Sequence, residues 1–344
     1  MPGDSQRAQE LYRTAIVIDS TAPMAPVLFP SFSSPLTPDQ LAGVYADSGV
    51  TAAGFTVGVD HFASIEQTIK LIAANRRYVR SRPDRLVMVE RAADIRRAKA
   101  EGKLGVMFGF QGTNGLMGDL NLVEVYRRLG VGHMLLAYNE KNFVADGCHE
   151  LTDAGLSRFG FNLIEEMNRV GMVVDVTHTG YRSSLDALAA SNQPVIFSHS
   201  TPKAFVQHDR NITDDQIDAC ARTGGVVGLT GVGLFMDPNG GRDASAAKIV
   251  ETIDYVVQRV GARHVGIGLD CMSDTDLMAR ILKASGSKYG SGNQYPADGF
   301  IAFQGPAALP EITERLLQRN YPESEVRGIL GENFLRVYEQ VWGG

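Results

Sequence analysis

The sequence predicts a (β/α)8 barrel with extra helices at its carboxyl end. Three observations carry this: short, continuously apolar runs recur, helix-length amphipathic stretches separate them, and no Pro/Ser/Gly-rich linker divides the 344 residues. Parallel strands covered on both faces read as unbroken apolar runs, and eight of them alternating with helices over about 270 residues is the count of such a barrel. One domain spanning residues 1–344 is expected, with 309–344 as a C-terminal helical extension.

In chain order, strands are expected at Ala15–Asp19, Thr51–Val57, Gly105–Phe110, His133–Tyr138, Met172–Thr177, Pro194–Ser198, Val226–Thr230 and His264–Leu269. The intervening helices are read at Pro38–Asp47, Ile65–Tyr78, Ala92–Ala100, Leu122–Leu129, Gly155–Arg169, Ser183–Ala190, Asp214–Arg222 and Ala246–Val260. Thr213 and Asp153 are plausible N-caps, because a short side-chain oxygen can take a free first-turn N–H. Gly171 and Gly261 stand between a helix and the next strand, where a left-handed cap favours glycine. Beyond residue 309, ITERLLQRN, SEVRGILG and NFLRVYEQV read as further helices. Two loops are long for a barrel, Ser20–Thr37 and Asp270–Gln304, and both would lie over the carboxyl-end mouth, where loops of that length are usually functional.

A net charge of −6 and the absence of a basic stripe argue against nucleic acid as a partner; Arg76–Arg85 reads as solvated helix ends. Three scattered cysteines make no disulfide framework and point to a reducing compartment. The polar start, MPGDSQRAQELYRTA, is unlike a secretory signal, and no apolar run approaches the roughly 20 residues that span a bilayer. A cytoplasmic protein without membrane contact is expected. Nothing fixes the oligomer, a homodimer being the assembly kept in view.

The most informative stretch is Gly171–Asn211. Two apolar runs, Met172–Val176 and Pro194–Phe197, lie one helix apart, and each is followed, one residue further on, by a histidine, His178 and His199. Equivalent positions on adjacent strands would bring the two imidazoles together at the mouth, and neutral imidazole is a common ligand of zinc-like ions. Other residues just past strand ends complete a ring: Asp19, Asp60 with His61, Gln111, Tyr138 with Asn139, Thr230 and Asp270. A polar set converging on an apolar barrel is the default active site. Taken singly, Asp19 and Asn139 could cap loops, Gln111 could satisfy backbone groups and Asp270 could cap the chain that follows. Arg210, in HDRN, could clamp a carboxylate with its fork of donors or form a surface ion pair. Cys148 in DGCHE is a poor candidate nucleophile, since adjacent Cys and His side chains rarely face each other; Glu150 is the more credible site contributor.

The motifs VDVTH, PVIFSHS, RNITDDQI, HVGIGLD and FGFNLIEEMNRVGM together resemble the membrane (renal) dipeptidase family, zinc peptidases of the amidohydrolase superfamily of barrels. The likeness runs from about Ile16 to the C-terminal helices. It implies that His178 and His199 hold the second zinc, that Arg210 binds the substrate's carboxylate, and that Asp270 lies near its amino end. The sequence departs from the family where the first zinc is held. The family's His-x-Asp pair reads Thr21 and Pro23 here, its bridging glutamate reads Gln111, and its substrate-touching histidine reads Tyr138. Glutamine is neutral and cannot bridge two cations as a carboxylate does.

The expectation is a hydrolase of a small amide, ester or dipeptide-like substrate carrying a carboxylate, with at most one divalent ion, zinc by preference, on His178 and His199. Asp270, Tyr138 and His178 would carry the chemistry, and Arg210, Asn139, Gln111 and Asp19 would bind substrate. Asp60, His61, Cys148 and Glu150 are the candidates to replace missing ligands. Two other readings stand beside it: a lyase or isomerase using the same groups as acid and base, and a silent binder of a small carboxylated ligand.

Overall fold

Eight parallel strands close on themselves in a computed structural model that describes residues 2–22, 25–27, 36–60, 64–272, 294–296 and 300–343. They are β1 Ile18–Ala22, β2 Ala52–Val59, β4 Leu104–Gln111, β5 Val131–Leu135, β6 Val173–Asp175, β7 Val195–Ser200, β8 Val227–Leu229 and β9 Val265–Ile267. Their order around the sheet is sequential, and the ring is sealed where β2 skips its sequence neighbour to pair with β4. The skipped strand is β3, Leu86–Met88, which pairs with Leu104–Val106 at the start of β4 while β5 takes Phe108–Gln111 further along. Three residues following Pro83 carry too little pattern to be read as a strand, so β3 is an addition to the eight expected.

Apart from β3, every expected strand has a counterpart, displaced at several ends. The first begins at Ile18 rather than Ala15, because its ladder opens with Ile18 opposite Ala52. Thr21 therefore lies inside β1. The fourth expected strand is Val131–Leu135, which leaves Tyr138 and Asn139 in the loop beyond it. The strands are buried along their lengths, with Phe55, Phe108, Phe110 and Phe197 fully inside. Each such side chain contributes roughly 1.5–3 kcal/mol by leaving water.

Outer helices follow the expected sequence stretches closely: α2 Pro38–Ala46, α3 Ile65–Arg80, α4 Ala92–Glu101, α5 Asn121–Arg128, α6 Arg158–Val170, α7 Tyr181–Ala190, α8 Asp214–Arg222 and α10 Ala246–Val260; the short α9, Gly233–Met236, is an addition to them. Thr213 caps α8 within a capping box. Asp153 is not the cap of α6; Ser157 is, and the Asp153 carboxylate instead accepts from the N–H groups of Gly155, Arg182 and Ser183. The polar N-terminus forms α1, Pro2–Thr14, an element the sequence reading left without structure. It packs on α11, Leu309–Gln318.

The last helix, α12 Asn333–Trp342, does more than extend the barrel. Phe334, Tyr338 and Val341 pack with Ile18, Met107, Val173, Ile196 and Val226, so this helix plugs the amino ends of the strands. Asn333 Nδ2 donates to the carbonyls of Ala262 and Val265 at 2.8 Å each, and Trp342 Nε1 donates to that of Gly132 at 2.9 Å. With one end sealed by apolar packing, polar side chains can converge only at the carboxyl-end mouth. Among the described residues, no helix is long and apolar enough to cross a membrane.

Candidate metal and substrate site

β6 and β7 run side by side, and the residues after β6 and at the end of β7 put His178 Nε2 3.0 Å from His199 Nε2. Both rings are buried, and what holds each determines what the two nitrogens present. His178 Nδ1 lies 2.6 Å from Asn139 Oδ1, to which the Cys148 thiol also donates at 3.4 Å. An amide oxygen only accepts, so His178 carries its hydrogen on Nδ1 and turns a lone pair outward from Nε2. His199 Nδ1 lies 2.8 Å from Ser198 Oγ and 3.1 Å from Thr21 Oγ1. Ser198 Oγ gives its own hydrogen to Asp175 Oδ2 at 2.5 Å and is therefore free to accept from His199. Asp175 is fixed in turn by the N–H groups of Thr177 and Ser198. These partners leave the Nε2 lone pairs of both rings converging on one point.

Backbone conformation serves the same point. His178, Asn139 and Asp270 all have positive φ, 61°, 63° and 53°, among only five non-glycine residues to do so in the described chain. Such conformations are unfavourable for most side chains and concentrate where a site demands them. Gly147 is needed here because a Cβ would sit 2.1 Å from the Asn139 carbonyl carbon, and His149 N–H donates to that carbonyl. Tyr138 stacks on His178 with ring centroids 4.1 Å apart and planes at 25°.

Arg210 is 3% exposed. Its Nη2 donates to the His199 carbonyl at 2.9 Å, its guanidinium lies over Phe235, and its Nε has no partner among the described residues. Asp270 follows β9, and burial lifts its carboxyl to about 7 against the opposing pull of Arg210. Asp19 is lifted to about 7 by burial and by Asp270. Its Oδ1 accepts from Leu269 and Thr21 N–H, whereas Oδ2 has no partner among the described residues. Burial also pushes His199 well below its usual range and keeps it neutral, as a ligand must be.

The remaining ring members do other work. Asp60, a candidate replacement ligand, spends Oδ1 on Asn114 N–H at 2.7 Å and Oδ2 on Tyr138 N–H and Asn142 Nδ2 at 3.1 and 2.9 Å. Gln111 Nε2 donates to Thr56 Oγ1 at 2.9 Å. Glu150 accepts from Lys141 N–H. The Cys148 thiol is pushed up to about 12 by burial, so it is no nucleophile. Thr230 Oγ1 turns back to the Leu269 carbonyl. His61, Pro23 and most of the two long loops lie outside the described residues.

Sequence reasoning missed three participants. Asp175 and Ser198 position His199, and His133 is buried inside the barrel beside it, with Gly109 left bare because a Cβ there would fall 2.2 Å from His133 Nε2. An aspartate in the otherwise apolar run MVVDV was the available signal, since buried carboxylates are rare unless engaged.

A donor set of this kind can be tested against a metal. No group of three or more His, Cys, Asp or Glu side chains among the described residues could enclose an ion. Among the described residues, the positions where the family holds its first ion carry Thr21 and Gln111, and the nearby Asp60 spends both oxygens on other donors. A single ion seated on His178 and His199 fits the two Nε2 atoms, which face each other at 3.0 Å with each Nδ1 tied back.

Fold and site together define a parallel-barrel protein whose working face is a histidine-lined mouth. The family model for membrane dipeptidase, peptidase family M19, matches residues 6–342, and the chain belongs to that family. Membership of this metallopeptidase family implies a divalent metal. A dipeptidase of Claviceps purpurea, tcpJ, is 29% identical over 286 residues, 82% of this chain and 61% of that protein. Another of Clonostachys rogersoniana, verJ, is 27% identical over 81% of this chain and 66% of its own length. The chain thus aligns with somewhat under two thirds of these relatives. An amidohydrolase structure from Pseudomonas aeruginosa superposes with a TM-score of 0.83 at 32% identity, covering 98% of this chain and 99% of that one. A metallopeptidase from Rhodobacter sphaeroides, solved with a phosphinate mimic of L-Ala-D-Ala, shares the fold at TM-score 0.74 and 20% identity over 96% of this chain and all of that one.

Proposed function

We propose that the protein hydrolyses a small amide, ester or dipeptide-like substrate bearing a carboxylate, using one divalent ion rather than two. The observation that carries this is the pair of imidazoles whose outer nitrogens are tied back while their Nε2 atoms face each other at 3.0 Å. A zinc-like ion bound there would polarise the scissile carbonyl and acidify a water.

The chain's own groups supply the rest. Arg210 holds the substrate carboxylate with its unpartnered Nε, its position fixed by the His199 carbonyl. Asp270, lifted to about 7, takes a proton from water near neutral pH and returns it to the leaving group. Asn139 keeps His178 in one tautomer, and Tyr138 covers that ring and excludes water from one face. Asp19 and Gln111 line the far side of the mouth and complete the substrate's surroundings. One further reading draws on the same contact. A proton shared between His178 and His199 would also satisfy both lone pairs, and would suit a metal-independent acid–base enzyme.

Elemental analysis after dialysis, paired with turnover of simple L,L- and L,D-dipeptides, tests this. One equivalent of divalent metal, with slow or no cleavage of ordinary dipeptides, is expected. Two equivalents with rapid cleavage would overturn the one-ion reading, and none would favour the metal-independent enzyme.

A further inference from the structure

We propose that Asp19 is a positioning residue: one oxygen of its carboxyl holds Asp270 in a strained backbone conformation and in register with His199. This rests on the reading of Asp270 as the base and extends it to the group that keeps the base in place.

Strands β1 and β9 share a single pair of facing residues, Asp19 and Ile267. Two residues further on, a side chain takes over from the backbone ladder. The Leu269 N–H donates at 2.9 Å to Asp19 Oδ1 rather than to a strand carbonyl, and the Thr21 N–H reaches the same oxygen at 3.3 Å. The Asp270 N–H then donates to the Thr21 carbonyl at 3.1 Å, and the Leu269 carbonyl accepts from the Gly231 N–H at 2.9 Å. The backbone is thus fastened at three consecutive groups leading into Asp270.

Asp270 needs such fastening. Its φ of 53° is unfavourable for a residue with a side chain and persists only where the surroundings over-determine it. Without the Asp19 oxygen, the Leu269 N–H would be buried and unpaired, a state that backbone groups avoid. Relaxing Asp270 to negative φ would let that group find a new partner and would carry the carboxylate away from its place. The same oxygen fixes Thr21, whose Oγ1 lies 3.1 Å from His199 Nδ1. One atom therefore ties the segment bearing the base to the segment that touches a metal-facing imidazole.

Burial supports the assignment. Asp19 is fully buried, and its Oδ2 has no partner among the described residues. A buried carboxyl is costly unless its bonds are used, and the bonds it makes are the two at Oδ1. What the arrangement uses is an acceptor at that point and not a charge.

Crystal structures of the native protein and of Asp19→Ala, Asp19→Ser and Asp19→Asn test this without a substrate. Serine keeps a polar atom but ends short of the Leu269 amide, whereas asparagine keeps an acceptor in the place of Oδ1. Asp270 is expected to leave positive φ in the Ala and Ser variants, its carboxylate moving by about 1 Å or more relative to His199, and to stay in place in Asp19→Asn. Asp270 unmoved in both Ala and Ser variants, or displaced in Asp19→Asn, overturns the proposal. If Asp19→Ala does not fold, the Ser and Asn pair decides. Turnover of whichever simple L,L- and L,D-dipeptides the native protein cleaves is scored separately. A displacement of that size should lower kcat about a hundredfold in the Ala and Ser variants with KM little changed, and Asp19→Asn should recover most of the loss. Displacement with kcat unchanged supports the positioning by Asp19 and counts against Asp270 as the base, whereas a fall in kcat with Asp270 unmoved counts against the positioning alone.

Discussion

The two sides of the barrel mouth are built from the same kinds of residue and spend them differently. On the β6–β7 side, the hydrogen bonds to the Nδ1 atoms of His178 and His199 turn a lone pair of each ring toward the centre. On the β1–β4 side, polar groups are consumed locally: Thr21 turns to His199, Gln111 to Thr56, and Asp60 to two backbone amides and Asn142. A ligand is defined less by residue type than by what its second atom is bonded to, because an engaged carboxylate has nothing left for a metal.

The largest break of this contrast is His199→Ala. Losing one of only two imidazoles should abolish tight metal binding and lower kcat/KM on the native substrate by about a thousandfold or more, equivalent to several kcal/mol of lost polarisation. His178→Ala should match it. Metal content by mass spectrometry, with steady-state kinetics, reads both; retention of a full equivalent of metal in either variant would show that the ion sits elsewhere.

One step outward lies Asn139. Removing the acceptor that fixes the His178 tautomer should weaken metal affinity by about 10–100-fold, as for other partners of metal-bound histidines. Asn139→Ala is the disrupting change. Asn139→Asp keeps an acceptor and tolerates the positive φ, so it should restore most of the affinity. Competition with a chelator provides the measurement, and equal affinity in Asn139→Ala and the native protein would mean the histidine needs no such anchor.

On the opposite side the expectation reverses. Asp60→Asn places an amide donor among three donors that previously met a carboxylate, and should cost about 2 kcal/mol of stability in denaturant titrations. Metal content should not change. Loss of metal in this variant would show that the β1–β4 side holds an ion after all.

How much of this was legible in the sequence follows from range. The strands and the pairing of His178 with His199 come from local pattern and strand-end position, which one chain displays directly. Thr21 was legible as a departure from the family, but not its bond to His199, because a hydroxyl's partner depends on register across the barrel. Asp60 stood in the right place along the chain, yet its saturation depends on Asn114, Tyr138 and Asn142, up to 82 residues away. His133 and Asp175 were hidden because strands buried on both faces lose the alternation that marks an inward side chain. α1 and β3 escaped for a different reason: one is too polar and the other too short to show a period.

The smallest expected effect concerns Asp19, a carboxylate on the β1 side with one oxygen taken by two backbone amides and the other without a partner among the described residues. Its folded-state value of about 7 lies above the ordinary 3.8, because burial and the nearby Asp270 favour the neutral form. The native protein therefore binds a proton that the unfolded chain has released. Between about pH 4 and pH 7 this site lowers stability as pH rises, and above pH 7 its contribution is level. Asp19→Asn removes the charge while an amide oxygen can still accept from Leu269 and Thr21. The gain is limited, since the amide nitrogen takes the place of an Oδ2 that has no partner. A stabilisation of about 1 kcal/mol at pH 8 and almost none at pH 5 is expected, seen as a difference in Tm that opens with pH. A variant that is more stabilised at pH 5, or destabilised at pH 8, would show that the Asp19 carboxylate has a partner in the working protein and belongs with the groups that hold the site together.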